Sequence, residues 1–254
     1  MDPTAEPLHA DAVPGAGDGQ RIGVLLVHGF TGSPASMVPW GRHLAGEGFG
    51  VAVPRLPGHG TTWPEMNRTR WSDWYAEVDR AFEKLRANCD QVVVGGLSMG
   101  GALSLQLAAD RGREVAGLVL VNPAVHTTRK DVLALPVLQH IVPSFPGITN
   151  DIKKPDVVEH GYDRTPLKAA HSMMSAWRTV RADLPKVTQP VLLMVSTEDH
   201  VVDPSSAVLV RARVSSRDLT EVVLENSFHV ATLDNDAPRI FEASTQFIRR
   251  VTGP

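Results

Sequence analysis

Short apolar runs alternate with longer amphipathic stretches along most of the chain. The runs are apolar at nearly every position, as expected of strands that are covered on both faces of a sheet. They predict strands at residues 22–27, 50–54, 91–95, 115–121, 191–196 and 221–224. The stretches between them repeat apolar residues at three- and four-residue intervals, which predicts helices over 35–46, 72–86, 99–110, 205–214 and 236–251. This alternation predicts an α/β protein with a mostly parallel central sheet and flanking helices.

The alternation breaks between about residues 123 and 185, where several prolines and short apolar clusters occur without a convincing strand. An insertion of this length between two strands predicts a helical cap rather than a connector. The first 20 residues are rich in Pro, Gly and Ala and are expected to form a flexible tail. We therefore expect a tail over 1–20 and a single domain over 21–254 that carries a cap at about 123–185.

Composition excludes several classes of protein. The 254 residues contain 25 Lys and Arg against 28 Asp and Glu, a formal net charge of −3, so nucleic acid is not an expected partner. The single cysteine, Cys89, cannot form an intrachain disulfide and is expected to pack as a small hydrophobic residue. No signal peptide or membrane-spanning run is visible, which makes a cytoplasmic location the expectation. No metal or cofactor motif occurs, so neither is expected.

The sequence G-x-S-x-G occurs at residues 96–100, directly after a predicted strand and before a predicted helix. This context is typical of a nucleophile elbow, a strained turn that raises a serine above the edge of the sheet. The N-terminus of the following helix favours the negative charge that develops during attack. The pattern therefore predicts Ser98 as a catalytic nucleophile, whereas an ordinary Gly-rich turn would not need a serine at its apex.

A serine hydroxyl needs a base, and the base needs a carboxylate to orient it. In folds with this elbow the partners follow in the order Ser, Asp or Glu, His. That order leaves His200 and His229 as candidates, and His229, in the loop after the last predicted strand, is the predicted base. Asp199 is the predicted acid, with Glu198 and Asp203 as alternatives. Asp203 directly precedes a helix and is typical of an N-cap, and His200 is expected to stabilise its loop.

An oxyanion hole needs two backbone N–H donors. One is expected from Met99, the residue after the nucleophile, and the other from the loop after the first predicted strand. The His-Gly-x pattern in that loop predicts the Phe30 N–H as the second donor, and the Phe30 side chain is expected to line an acyl pocket. His28 is predicted to be a hydrogen-bonded part of this loop. His59 is predicted to be a hydrogen-bonded turn residue, with a substrate contact as the alternative.

Several segments resemble the bacterial monoacylglycerol lipases, and the small carboxylesterases close to them, in the α/β-hydrolase superfamily. They are LLVHGFTGSP (25–34), RLPGHGTT (55–62), GLSMGG (96–101), STEDHVV (196–202), NSFHVATLD (226–234) and, in the cap, KPDVVEHGYDRTP (154–166). The resemblance implies the α/β-hydrolase fold and the same triad and oxyanion donors. It also implies that Glu159 holds the glycerol hydroxyls, since a carboxylate can accept hydrogen bonds from a vicinal diol. A solvated helix residue is the alternative for Glu159.

The resemblance implies a serine hydrolase that cleaves monoacylglycerols to fatty acid and glycerol through an acyl-enzyme on Ser98. The expected partner is a lipid ester, with a transient contact between the apolar cap and a membrane or micelle surface. A general short-chain carboxylesterase and a non-catalytic binding protein on the same scaffold are the alternatives. Met173, Met174 and Trp177 have the spacing of one helix face and are candidates to line the acyl pocket, although packing against the core explains them equally well.

Overall fold

The computed structural model describes residues 5–13, 19–148 and 150–253. Its strands in those ranges are β1 (Leu8–Ala10), β2 (Ile22–Val27), β3 (Gly50–Val53), β4 (Gln91–Leu97), β5 (Val115–Val121), β6 (Ser144–Pro146), β7 (Arg164–Pro166), β8 (Val191–Ser196) and β9 (Leu219–Leu224). Seven of them form one sheet in the order β1-β3-β2-β4-β5-β8-β9. Only β1 runs antiparallel to its neighbour in this sheet. The predicted, mostly parallel sheet is confirmed.

The α-helices in the same ranges are α1 (Val38–Gly46), α2 (Trp63–Met66), α3 (Trp71–Arg86), α4 (Met99–Arg111), α5 (Leu135–Leu138), α6 (Leu167–Asp183), α7 (Ser205–Arg213) and α8 (Ala237–Thr252). Helices α1 and α8 cover one face of the sheet, and α3 and α4 cover the other. In β2, Val24 and Leu26 pack towards α1 and α8, whereas Leu25 and Val27 pack towards α3 and α4. Both faces are thus covered, which explains the continuous apolar runs.

The first part of the chain departs from the flexible tail expected over residues 1–20. Leu8–Ala10 pairs antiparallel with β3, with Leu8 opposite Val53. An ideal Cβ atom at Gly41 would lie 2.8 Å from Leu8 Cδ2, so this strand lies directly against α1. Three residues are too few to give an alternation signal, which is why the pattern did not indicate this strand. Residues 1–4 and 14–18 of the expected tail lie outside the described residues.

Between β5 and β8 the cap contains α5, α6 and a pair of short strands. No strand is expected here from the sequence, and this expectation is wrong, because β6 and β7 pair antiparallel with Phe145 opposite Thr165. Both strands have three residues and contain a proline, so neither shows the alternation that marks a longer strand. Among the described residues, no helix is long and apolar enough to span a membrane.

Candidate active site

Ser98 lies in the turn between β4 and α4, with φ 57° and ψ −118°. A positive φ is uncommon for a residue with a side chain and is found where the surrounding structure imposes it. The Ser98 N–H donates to Val121 O at 3.0 Å, and Ser98 O accepts from Ala124 N at 3.1 Å. An ideal Cβ atom at Gly100 would lie 2.0 Å from Val27 O, so only glycine allows α4 to begin this close to the sheet. These contacts hold the serine at the carboxyl edge of the sheet.

His229 and Asp199 form a hydrogen-bonded pair on the loops that follow β9 and β8. His229 Nδ1 lies 2.8 Å from Asp199 Oδ2, and the two side chains are 8% and 10% exposed. The other carboxylate oxygen, Asp199 Oδ1, accepts the N–H groups of Val201 and Val202 at 2.8 Å each. Because a carboxylate can only accept, His229 donates from Nδ1, which leaves the lone pair on Nε2 available for a proton.

Burial opposes ionisation of Asp199, but the hydrogen bond and charge of His229 and the two N–H groups hold the pKa of its carboxyl below the ordinary value. Burial also acts to lower the pKa of His229. The Asp199 hydrogen bond, together with the negative charges of Asp199, Glu159 and Asp151, outweighs this effect and raises the pKa of the imidazole. The carboxylate therefore stays ionised and stabilises a proton on the base.

Asn122 joins the turn that carries Ser98 to the loop that carries His229, and it was not among the residues predicted from the sequence. It follows Val121, the acceptor of the Ser98 N–H, and its Nδ2 donates to His229 O at 2.9 Å and to Ser196 Oγ at 3.0 Å. Its Oδ1 accepts Ser196 N–H at 2.8 Å, and its φ is 43°. An Asn directly after a strand was the available signal, because Asn tolerates positive φ better than most residues. Among the described residues the Ser98 hydroxyl makes no hydrogen bond; such catalytic contacts often form only when substrate binds.

The loop after β2 lies against the nucleophile, since an ideal Cβ atom at Gly29 would be 3.5 Å from Ser98 Cβ. In the described part of the chain, the N–H groups of Phe30 and Met99 donate to no other protein group. Both are therefore available to a ligand beside Ser98. The Phe30 ring packs edge-on against Trp74, with ring centroids 5.8 Å apart.

His28 holds this loop in place. Its Nε2 accepts the Leu56 N–H at 3.2 Å, so its Nδ1 carries the proton and donates to Gly29 O at 3.0 Å. Burial lowers the pKa of His28 to about 4, which keeps the ring neutral as these bonds require. The His59 ring packs edge-on against His28, with centroids 4.9 Å apart, and its Nδ1 bonds to Pro57 O at 3.1 Å.

Glu159 reaches the site from the cap. An ideal Cβ atom at Gly32 would lie 2.9 Å from Glu159 Oε1, so the half-buried carboxylate lies against the same loop as Phe30. Burial raises the pKa of Glu159, the charge of His229 opposes the rise, and that of Asp151 adds to it. The Glu159 N–H is held by Asn150 Oδ1 at 2.7 Å. The structure thus places this carboxylate within electrostatic reach of His229 rather than on a solvated helix.

The alternative acids lie elsewhere in the described structure. Glu198 is exposed and pairs with Lys153 at 3.4 Å. Asp203 accepts the Ser205 N–H at 2.9 Å, as an N-cap does, and also bonds to the Thr128 hydroxyl. Neither carboxylate bonds to His229, so of the three candidate acids only Asp199 pairs with this histidine in the described structure.

An apolar cluster adjoins the loop after β2 that carries Phe30. Leu135, Leu167 and Ala170 of the cap pack together, and Phe30 and Met174 pack against them. Met173 and Trp177 are instead buried in the main core with α3 and α4. Of the three α6 side chains considered from the sequence, Met174 is the one that contacts the cluster on the Phe30 side.

A serine in a strained strand–helix turn, followed in the chain by a carboxylate and a histidine that bond to each other, defines an α/β-hydrolase of the serine hydrolase type. The model of the family described as Serine aminopeptidase, S33 (Hydrolase_4) matches residues 19–236, and the chain belongs to this family.

Similar proteins agree with this assignment. The thermostable monoacylglycerol lipase of Bacillus sp. (strain H-257) is 39% identical over 253 residues, which are 98% of this chain and 96% of that protein. The carboxylesterase of Bacillus subtilis (strain 168) is 26% identical over 234 residues, 90% of this chain and 92% of that protein. A structure solved for LipS and LipT, two metagenome-derived lipolytic enzymes, matches with a TM-score of 0.93 at 40% identity, covering 98% of this chain and 99% of that chain. The resemblance found in the sequence is confirmed.

Proposed function

We propose that the protein is a monoacylglycerol lipase, a serine ester hydrolase that releases fatty acid and glycerol. The position of Glu159 carries the proposal, because its carboxylate lies beside the loop that carries Phe30 and within electrostatic reach of His229. The apolar cluster that includes Phe30 and Met174 adjoins the same loop. A monoacylglycerol has two matching parts, a vicinal diol for the carboxylate and an acyl chain for the apolar cluster. Relatedness to the Bacillus sp. (strain H-257) lipase supports the same substrate.

In the proposed reaction, Ser98 Oγ attacks the ester carbonyl carbon while His229 Nε2 takes its proton. The N–H groups of Phe30 and Met99 bind the oxyanion that forms. His229 then gives the proton to the departing glycerol oxygen, which leaves the acyl group on Ser98. A water molecule attacks this ester with His229 again as base, and the fatty acid is released. Asp199 orients the imidazole and stabilises its protonated form.

The first test compares wild type with Ser98→Ala on 1-monoacylglycerols of increasing chain length, di- and triacylglycerols and p-nitrophenyl esters. We expect Ser98-dependent turnover that selects monoacylglycerols. Ser98-dependent hydrolysis of small esters alone would indicate a general short-chain carboxylesterase, the activity named for the Bacillus subtilis relative. A wild-type protein that neither turns over esters nor reacts with a fluorophosphonate at Ser98 would indicate a binding protein.

Glu159→Gln tests the diol contact directly. Because a hydrogen bond to a charged group contributes about 1.5–3 kcal/mol, we expect kcat/KM for a 1-monoacylglycerol to fall about 10- to 100-fold. The methyl ester of the same fatty acid has no diol, and its hydrolysis should be unchanged. Glu198→Gln is the matched control, since Glu198 is an exposed carboxylate on a neighbouring loop. An equal fall on both esters would contradict a glycerol site.

We further propose that the cap contacts a lipid surface through Leu133, Val137 and Ile141. These side chains follow one another at four-residue intervals and are 78%, 64% and 72% exposed. Leu135, from the same segment, packs in the cluster that includes Phe30, so the exposed side chains adjoin the proposed acyl pocket. Contact with lipid would remove this apolar surface from water next to the entry of the substrate.

Sedimentation with phosphatidylcholine vesicles tests this surface. The variant with Ser at all three positions should bind vesicles less and lose activity on vesicle-borne substrate, while its activity on soluble p-nitrophenyl butyrate stays the same. Val208→Ser is the control, because Val208 is 54% exposed on α7, outside the cap. Unchanged vesicle binding by the triple variant would refute the contact.

A further inference from the structure

Residues 150–154 of the cap run between the loop that carries Asp199 and the loop that carries His229. In this segment the Asp151 carboxylate, 10% exposed, contacts both loops. Its Oδ2 accepts the His229 N–H at 3.1 Å and the His200 N–H at 3.2 Å, and its Oδ1 lies 2.7 Å from His200 Nδ1. One carboxylate therefore joins the base to the residue that directly follows the acid.

The backbone around Asp151 is held independently of its side chain. Asp151 O accepts the Val230 N–H at 3.1 Å. The buried carboxylate of Asp234 accepts the N–H groups of Lys153 at 2.7 Å and Phe228 at 2.9 Å, and so joins the cap segment to the base loop a second time. None of these contacts uses the Asp151 side chain, so they remain when it is replaced.

We propose that Asp151 is a positioning residue that keeps the catalytic acid and base in contact. The proposal rests on the proposed roles of Asp199 and His229. Their loops leave different strands, β8 and β9, and the 2.8 Å bond between them must persist while Ser98 reacts. Asp151 holds both loops from the cap side and so limits how far the acid and the base can separate. The cap thereby contributes to the chemistry as well as to substrate binding.

Asp151 also forms part of the charge around the base. Burial acts to lower the pKa of His229, and three carboxylates outweigh it: Asp199 on the loop after β8, and Glu159 and Asp151 on the cap. Removal of one of these charges should lower the pKa of the imidazole. The fall of kcat/KM towards acidic pH, which we call the acid limb, reports protonation of the base in the free enzyme. With a lower imidazole pKa, the acid limb should move to lower pH.

His200 contacts the Asp151 carboxylate from the solvent side. Its ring is half-exposed, with Nδ1 on Asp151 and Nε2 3.8 Å from Glu198. The hydrogen bond and charge of Asp151 raise the pKa of His200. A protonated ring binds a carboxylate more strongly than a neutral ring does. The His200–Asp151 contact therefore weakens as the pH rises through the pKa of His200.

The test measures kcat and KM for p-nitrophenyl butyrate across the acid limb, with Asp151→Asn and Asp151→Ala beside wild type. This substrate has no diol for Glu159 to bind and needs no lipid surface. Asn keeps an oxygen that can accept the His229 N–H but removes the charge, so we expect kcat within about threefold of wild type and an acid limb at lower pH. Ala removes both the acceptor oxygen and the charge. A misplacement of the acid and the base by about 1 Å should lower kcat about 10- to 100-fold at an unchanged KM.

Glu225→Gln is the matched control for the charge. Glu225 is an exposed carboxylate on the loop that carries His229, and in the described structure it bonds to neither Asp151 nor His200. Its substitution should change neither kcat nor the acid limb. His200→Asn and His200→Ala form a second pair. Asn places a donor near the position of the His200 Nδ1 atom and should retain more activity than Ala, because it can still hold Asp151.

Wild-type kcat in Asp151→Ala would overturn the positioning role. An Asp151→Asn profile that overlays wild type, or an equal shift of the acid limb in Glu225→Gln, would overturn the contribution of the Asp151 charge. Circular dichroism and thermal melts identify a variant that has not folded. If Asp151→Ala is such a variant, the Asp151→Asn profile and the His200 pair decide. Lack of Ser98-dependent turnover in the wild type would contradict the proposed function instead, which keeps the two failures distinct.

Discussion

Gly100→Ala tests the close approach between α4 and the loop after β2. An ideal Cβ atom at this position lies 2.0 Å from Val27 O, 2.6 Å from Val27 C and 2.8 Å from His28 O. A relaxed carbon–oxygen contact is about 3.3 Å, so the helix and the loop would have to separate by about 1.3 Å. All three neighbouring atoms belong to the backbone, so no side-chain rotation can relieve the overlap.

Two costs follow from that separation. Overpacking costs about 1–3 kcal/mol in most cores, and we expect the upper end here because the neighbouring atoms are backbone. The same displacement moves Phe30 relative to Met99, the two proposed oxyanion donors. Because a misplacement of about 1 Å can lower the rate about 100-fold, kcat/KM for p-nitrophenyl butyrate should fall by about that factor.

Gly46→Ala is the matched control. Gly46 is exposed at the end of α1, and no atom lies within 4 Å of its ideal Cβ position. Alanine should stabilise the protein there by about 0.4–1 kcal/mol, because it restricts the unfolded chain. Urea unfolding gives both free energies by linear extrapolation. Wild-type kcat/KM in Gly100→Ala, or a free energy of unfolding equal to that of Gly46→Ala, would refute the argument.

Three further predictions concern the acid, the base loop and a buried histidine. Asp199→Asn should lower kcat about 10,000-fold at neutral pH with little change in KM. A loss of kcat below about tenfold in steady-state kinetics would contradict this prediction. In urea unfolding, Asn122→Ala should be less stable than Asn122→Gly by about 1 kcal/mol, because φ is 43° at this position and both variants lose the same hydrogen bonds. Equal stabilities of the two variants would show that the backbone is not strained. The pKa of His28 is about 4 in the folded protein and about 6.5 in the unfolded chain, so the unfolded chain binds this proton first as the pH falls. Up to about 3 kcal/mol of the free energy of unfolding should therefore be lost as the pH falls between these values. Urea unfolding across that range should show a smaller loss for His28→Gln than for wild type.

The sheet could be predicted from the sequence because each strand is covered on both faces. The predicted strands at 22–27, 115–121 and 191–196 have the bounds observed, and the strand that begins at 91 is longer and continues to Leu97. The elbow was also predictable, since small residues on both sides of a serine are needed where a helix starts against a sheet. Cys89 is buried, as expected for a cysteine that packs as a small hydrophobic residue.

The remaining parts had no periodic signal to detect. Strands β1, β6 and β7 have three residues each, which is shorter than any alternation that can be distinguished from chance. Asn122 and Asp151 act through hydrogen bonds to distant backbone groups, and Asp151 is 78 residues away from His229 in the chain. A contact of this kind depends on tertiary structure, so no local pattern identifies the partners of either residue, although the position of Asn122 directly after a strand was a local signal for that residue.

The two parts of the cap are attached to the body of the protein by different forces. The segment that carries Glu159 is held near its start by Asp234, which accepts the Lys153 N–H, and at its end by Tyr162. Tyr162 Oη donates to Gly58 O at 2.7 Å, and its N–H donates to Thr31 O at 3.2 Å. Between residues 129 and 142, in contrast, every hydrogen bond in the described structure is local, and apolar packing provides the attachment. Apolar packing has no preferred direction, whereas hydrogen bonds fix position. We therefore expect the carboxylate proposed to bind the diol to keep its position, and we expect residues 129–142 to adapt to acyl chains of different length.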